Sequence, residues 1–124
     1  MRIVISLLLL VFTLTSFRSG NLNEVIWALK QGNASQLSKF FDRTVDVSLG
    51  ATRNTYSSGQ AELILKEFFS ANKVITFVLI HKKESNGAGY CIGSMQTTSG
   101  TYRTSVFLKQ KGDKDVIQEL RIER

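Results

Sequence analysis

The chain has 124 residues, 43% of them hydrophobic and 21% charged, and a net charge of +6. That length holds one domain with a modest core, and that balance excludes a disordered or fibrous chain. With one cysteine and no proline, the chain has no internal disulfide framework and no proline-rich linker.

The first segment is unlike the rest. Met1-Arg2 is a short basic start, Ile3 to Phe12 is apolar except for Ser6, and polar residues thicken from Thr13 onward. This layout predicts a secretory signal peptide over residues 1–20, with cleavage between Ser16 and Gly20, and a single domain over 21–124. The apolar run falls short of the ~18 residues that a spanning helix needs. The expected location is periplasmic or extracellular, with membrane contact only during export. Arg2 and Arg18 leave with the signal, which lowers the net charge of the remainder to about +4. No nucleic-acid partner is expected of an exported domain.

Leu22, Val25, Ile26 and Leu29 repeat at helical spacing, and Gly32 ends that helix. Asn33 with Gln36 reads as the cap of a second short helix, with Leu37, Phe40 and Phe41 as its apolar side. Val45 to Leu49 is a short strand, and Ala51 to Tyr56 a loop or edge strand. Ser57 with Gln60 forms a second capping box. It opens a long helix whose face carries Ala61, Ile64, Leu65, Phe68 and Phe69, and Asn72 stops it.

Four strands follow: Val74 to Ser85, Gly89 to Thr98, Thr101 to Gln110 and Val116 to Glu123. Asn86-Gly87, Ser99-Gly100 and Gly112-Asp113 mark the turns of a meander. The first turn pairs Ser85 with Ala88, and so Ile80 with Gly93 and Val78 with Met95. The second puts Met95 opposite Thr104, and an odd-length third loop puts Val106 beside Leu120. One face then carries Thr76, Val78, Ile80, Cys91, Met95, Tyr102, Thr104, Val106, Leu108, Gln118, Leu120 and Ile122, and it is expected to meet the helices. The other carries Ile75, Phe77, Leu79, His81, Tyr90, Ile92, Ser94, Gln96, Arg103, Ser105, Phe107 and Lys109, too apolar in its middle for a simply solvated surface. Phe77, Leu79, Ile92, Arg103 and Phe107 are therefore the expected homodimer face.

The expected fold class is α+β: a curved antiparallel sheet of four to five strands on a long helix and two short N-terminal ones. That order resembles the nuclear transport factor 2-like (cystatin-like) superfamily, and more closely a family of small exported Bacteroidetes proteins of unknown function. The residues that carry the likeness are Ala28-Leu29, Gly32-Asn33-Ala34, Phe41-Asp42, Tyr56-Ser57, Gln60-Ala61-Glu62, Phe68-Phe69, Gly93, Tyr102-Arg103, Val106-Phe107-Leu108-Lys109 and Glu119 to Glu123. The resemblance implies a conical cavity between sheet and helix, and it brings no known activity or catalytic residue. Fold alone decides little about function.

The candidate cavity-lining residues are Trp27, Asp42, Asp46, Tyr56, Cys91, Met95, Tyr102, Thr104 and Gln118. Trp27 is off the apolar stripe of the first helix, and Asp42, Asp46 and Tyr56 fall where a cavity rim would lie. His81 and Cys91 take opposite faces, so no metal cluster, Cys–His pair or cofactor motif is expected. The leading expectation is a non-catalytic domain that binds a small apolar ligand or an envelope protein, as a homodimer. The alternatives are a cavity isomerase or dehydratase, with Asp42 or Asp46 as base and Tyr56 or Tyr102 as partner, and a structural subunit whose cavity is filled by its own side chains.

Overall fold

The computed structural model describes residues 20–124; the predicted signal peptide falls almost wholly outside them. Three helices come with six strands: α1 (Gly20–Gln31), α2 (Ala34–Ser38), β1 (Phe41–Leu49), β2 (Thr52–Ser57), α3 (Ser58–Ala71), β3 (Val74–Ser85), β4 (Ala88–Thr97), β5 (Gly100–Lys111) and β6 (Lys114–Glu123).

The helix ends form where local chemistry demands. Gly32, at φ +60°, closes α1: its N–H donates to Leu29 and that of Asn33 to Ala28, a Schellman arrangement. The Asn33 side chain accepts from the Gln36 N–H and starts α2. Ser57 and Gln60 exchange both bonds of a capping box at α3, and the Asn72 amide N–H and side chain both donate to the Phe68 carbonyl at its far end.

One six-stranded sheet runs in the order β2-β1-β6-β5-β4-β3. It is antiparallel except where β1 joins β6 in parallel. Two strands flank β6 on the side away from β5, so the sheet is wider than four or five strands. Phe41, expected on α2, opens β1 and stays buried, because α2 ends at Ser38.

The helices cover one face of the sheet. Leu29 and Leu37 of α1 and α2, Leu65 of α3 and Val47, Met95, Val106, Leu120 and Ile122 of the sheet retain no more than 1% of their surface. Three register details decide which residues join them. The β4–β5 turn is one residue earlier than expected, so Met95 lies opposite Tyr102 and Gly93 opposite Thr104. That is a slip of two in pairing, and an even slip leaves every side chain on its face. Between β5 and β6 the turn is tight, with Lys111 opposite Lys114, and a bulge at Gln118 supplies the odd residue. Val106 therefore still meets Leu120, and Thr104 meets Ile122.

On β3 the slip is odd. Ser85 pairs with Ala88 as expected, but bulges at Ile80 and Ile75 each insert one residue. Phe77 now pairs with Met95 and Val78 with Ser94. Phe77 is thus a core residue, 5% exposed, and not part of the outer face. Thr76, Val78 and Ile80 turn outward in exchange, the last two about 60% exposed. A sheet that wraps a helix needs the local bend and twist that bulges supply. Gly93 completes the exchange: a Cβ there would stand 2.3 Å from Cζ of Phe77, so the ring lies across bare backbone.

Candidate functional site

The interior of the cone is filled. Cys91, Met95 and Thr104 have 0% exposure, which leaves no water-sized space against them. Burial pushes the Cys91 thiol up to about 12, with Lys82 pulling weakly the other way. A thiol so held is a packing group rather than a nucleophile. The Thr104 hydroxyl finds no hydrogen-bond partner among the described residues.

Tyr102 lies at the mouth of the cone. Its ring meets Phe68 edge-on at 5.3 Å between centroids, and the Arg124 guanidinium lies 5.0 Å from its centroid. Its hydroxyl donates to Asn72 Oδ1 at 3.3 Å and accepts from Arg124 Nη2 at 3.2 Å. Leu49, Gly50, Phe68, Tyr102 and Arg124 frame an open depression there.

The remaining cavity candidates are elsewhere. Because Phe41 and Val45 of β1 point to the helices, Asp42 and Asp46 point to the outer side. Lys111 Nζ approaches Asp42 Oδ2 at 2.9 Å. That ammonium, then the Arg43 N–H, holds the Asp42 carboxyl below its ordinary range. Gln118 lies beside this pair, turned outward by its bulge. Asp46 accepts from Thr55 Oγ1 at 2.6 Å. Tyr56 is half-buried on the helix-facing side of β2, and its hydroxyl accepts from Asn54 Nδ2 at 3.2 Å. The carboxylates and Tyr102 therefore lie on different sides of the sheet and form no acid–base pair. Trp27 is 62% exposed and lines a groove between α1 and α3, away from the cone mouth. Among the described residues no group of three His, Cys, Asp or Glu side chains could hold a metal ion. Among them too, no helix is long and apolar enough to cross a membrane.

The outer face has two halves. Over β6, β1 and β2 it is charged: Glu119 receives Arg121 at 2.7 Å and Arg53 at 3.6 Å. Over β3 to β5 it is apolar. Ile75, Val78 and Ile80 are about 60% exposed, and Phe107 is 36% exposed. Half-buried Ile92 lies opposite His81, and Tyr90 opposite Phe107. The rings of His81, Tyr90 and Phe107 form a tilted row with centroids 5.4 and 6.0 Å apart. Ile92, Arg103 and Phe107 of the expected face are here. Leu79 pairs with Gly93 on the helix side, at the free edge, and is 39% exposed. Ile75 was expected on this face; Val78 and Ile80 are the members that sequence reasoning assigned to the helices. Val74 to Ile80 is nearly continuous in apolar residues, so no alternation marks where the bulges fall.

Against known proteins, residues 22–123 match the family model described as "Domain of unknown function (DUF4783)". A crystal structure of a DUF4783 family protein from Bacteroides uniformis is 30% identical, with a TM-score of 0.80, over 82% of this chain and 94% of that one. Another from Bacteroides ovatus is also 30% identical, with a TM-score of 0.78, over 82% and 92%. An NTF2-like protein of unknown function from Cytophaga hutchinsonii superposes with a TM-score of 0.62 at 14% identity, over 90% and 92%, a likeness of fold alone. No curated protein matches the chain.

Proposed function

Since the chain belongs to the DUF4783 family, of unknown function and NTF2-like in fold, we propose a role that rests on its own surface: a non-catalytic, exported domain that self-associates through the apolar half of its outer sheet face. The observation that carries this reading is the strip Ile75, Val78, Ile80, Ile92 and Phe107, exposed or half-exposed on one side of a sheet whose other side packs against the helices. Contiguous apolar surface of this kind marks an interface. Its occupant is a second copy of the chain. A two-fold contact sets the strip against itself and leaves the charged half over β6, β1 and β2 in solvent. The basic start and apolar run from Met1 to Phe12 support export.

The filled interior favours a binding surface over an enclosed ligand cavity, and the separation of Asp42 and Asp46 from Tyr102 disfavours an acid–base enzyme. Sedimentation velocity tests the proposal. A dimer that Val78→Lys and Ile92→Asp each convert to a folded monomer is expected. A wild-type chain that stays monomeric at high concentration overturns it.

A further inference from the structure

Trp27 is the one tryptophan in the chain, and it is 62% exposed on α1. Burying so large a ring is favourable, so leaving it in water calls for a reason. The structure gives it specific surroundings. Trp27 and Gln31, four residues apart and so on one face of α1, line an open groove of about 600 Å³ with Asn33, Ser35, Lys66 and Ser70. The groove is separate from both the cone mouth and the outer sheet face.

From this lining we propose that the groove binds a pyranose sugar. The indole is a flat apolar platform for the C–H face of the ring. Two amides and two hydroxyls around it match ring hydroxyls, which both donate and accept. Asn33, whose Oδ1 caps α2, keeps its Nδ2 to donate, and Ser35, whose hydroxyl donates to Glu62, keeps its oxygen to accept. The one ammonium in the lining is already engaged: Lys66 Nζ lies 3.3 Å from Glu62 Oε2, which also accepts from Ser35 Oγ at 3.1 Å. A nucleotide's phosphates would therefore meet a single lysine shared with a carboxylate and no second cation in the lining, which disfavours a nucleotide on the same indole. An apolar peptide is disfavoured too, because an aromatic anchor for a protein partner has a water-excluding surround, and Asn33, Ser35 and Ser70 are polar.

The sole tryptophan reports the site directly. The full chain is titrated with methyl glucoside, methyl galactoside, methyl mannoside and N-acetylglucosamine, then with their disaccharides, while indole emission is followed. A saturable blue shift with protection from acrylamide quenching is expected for at least one sugar. Amide shifts of Gln31, Asn33 and Lys66 should move at the same midpoint. Gln31→Ala should weaken binding about three- to tenfold, the worth of one hydrogen bond. Trp27→Ala, read by amide shifts, should abolish it with the circular dichroism unchanged. Unmoved emission across the whole panel overturns the proposal. So does a blue shift that follows protein concentration without sugar, since the indole then belongs to a contact between copies.

Discussion

The two faces of one sheet follow opposite rules. On the helix side, contacts are so dense that a single methyl decides what fits. Gly93 exists as bare backbone because the Phe77 ring occupies the space its Cβ would take. On the outer side over β3 to β5, Ile75, Val78 and Ile80 stand free. The difference between the faces is set on one strand, by two bulges that send Phe77 in and its neighbours out. The lesson is that the apolar surface left on the outer side is a by-product of how the sheet bends over its helices.

Substitutions on the helix side should act on stability and leave association alone. The largest loss is expected for Leu65→Ala, which empties a fully buried position on α3; chemical denaturation should show about 2–5 kcal/mol. Gly93→Ala tests the exchange itself. Its new methyl meets the buried Phe77 ring, so a loss of about 1–3 kcal/mol is expected. Phe77→Leu in the same chain should recover part of it, since the clash is with that ring. A Gly93→Ala variant as stable as wild type would break the account of β3.

Thr104→Val should go the other way. The buried hydroxyl has no partner among the described residues, and such a group costs about 1–3 kcal/mol to desolvate. Removing it at nearly constant shape should raise the melting temperature and add about 1 kcal/mol. A loss instead would mean that the hydroxyl is satisfied in the folded chain and overturn its reading as an orphan.

How much of this was legible beforehand depends on locality. Caps, turns and helices follow from a few adjacent residues, and Asn33, Ser57 with Gln60 and Asn86-Gly87 behave as their chemistry dictates. The β4–β5 and β5–β6 faces were also readable, apart from Gln118 in the bulge, because even slips and a compensating bulge preserve parity. The β3 register was not, since its bulges answer to sheet curvature, a property of the assembled fold. Asp42 and Asp46 were placed at a cavity rim because the strand seemed to start at Val45. Once β1 starts at Phe41, alternation sends both carboxylates outward. For Trp27 the sequence showed only that it left the apolar stripe, and its groove needs α3, more than thirty residues later.

Substitutions on the outer side should move association more than stability. Val78→Lys puts a charge on a free edge strand, where lysine is well tolerated. The monomer's stability should change by no more than about 1 kcal/mol, while the sedimentation coefficient falls to that of a monomer. The concentration dependence of the melting temperature should vanish with it. A variant that loses both fold and association would place Val78 under hidden cover and erase the contrast between the faces.

The smallest effect is expected in the charged half of the outer side. Lys111 and the Arg43 N–H hold the Asp42 carboxyl below its ordinary range, so the folded protein favours its ionised form. The stability it contributes is therefore present above the ordinary carboxylate range and lost as pH falls through the lowered value. Asp42→Asn should be slightly less stable than wild type near neutrality, and the gap should close in acid. Because the Lys111 side chain is 53% exposed, added salt should narrow that gap at neutral pH as well. A gap that persists in high salt would assign the effect to the Arg43 N–H, a local uncharged donor that salt does not screen, and would leave the exposed Lys111 with little part in it.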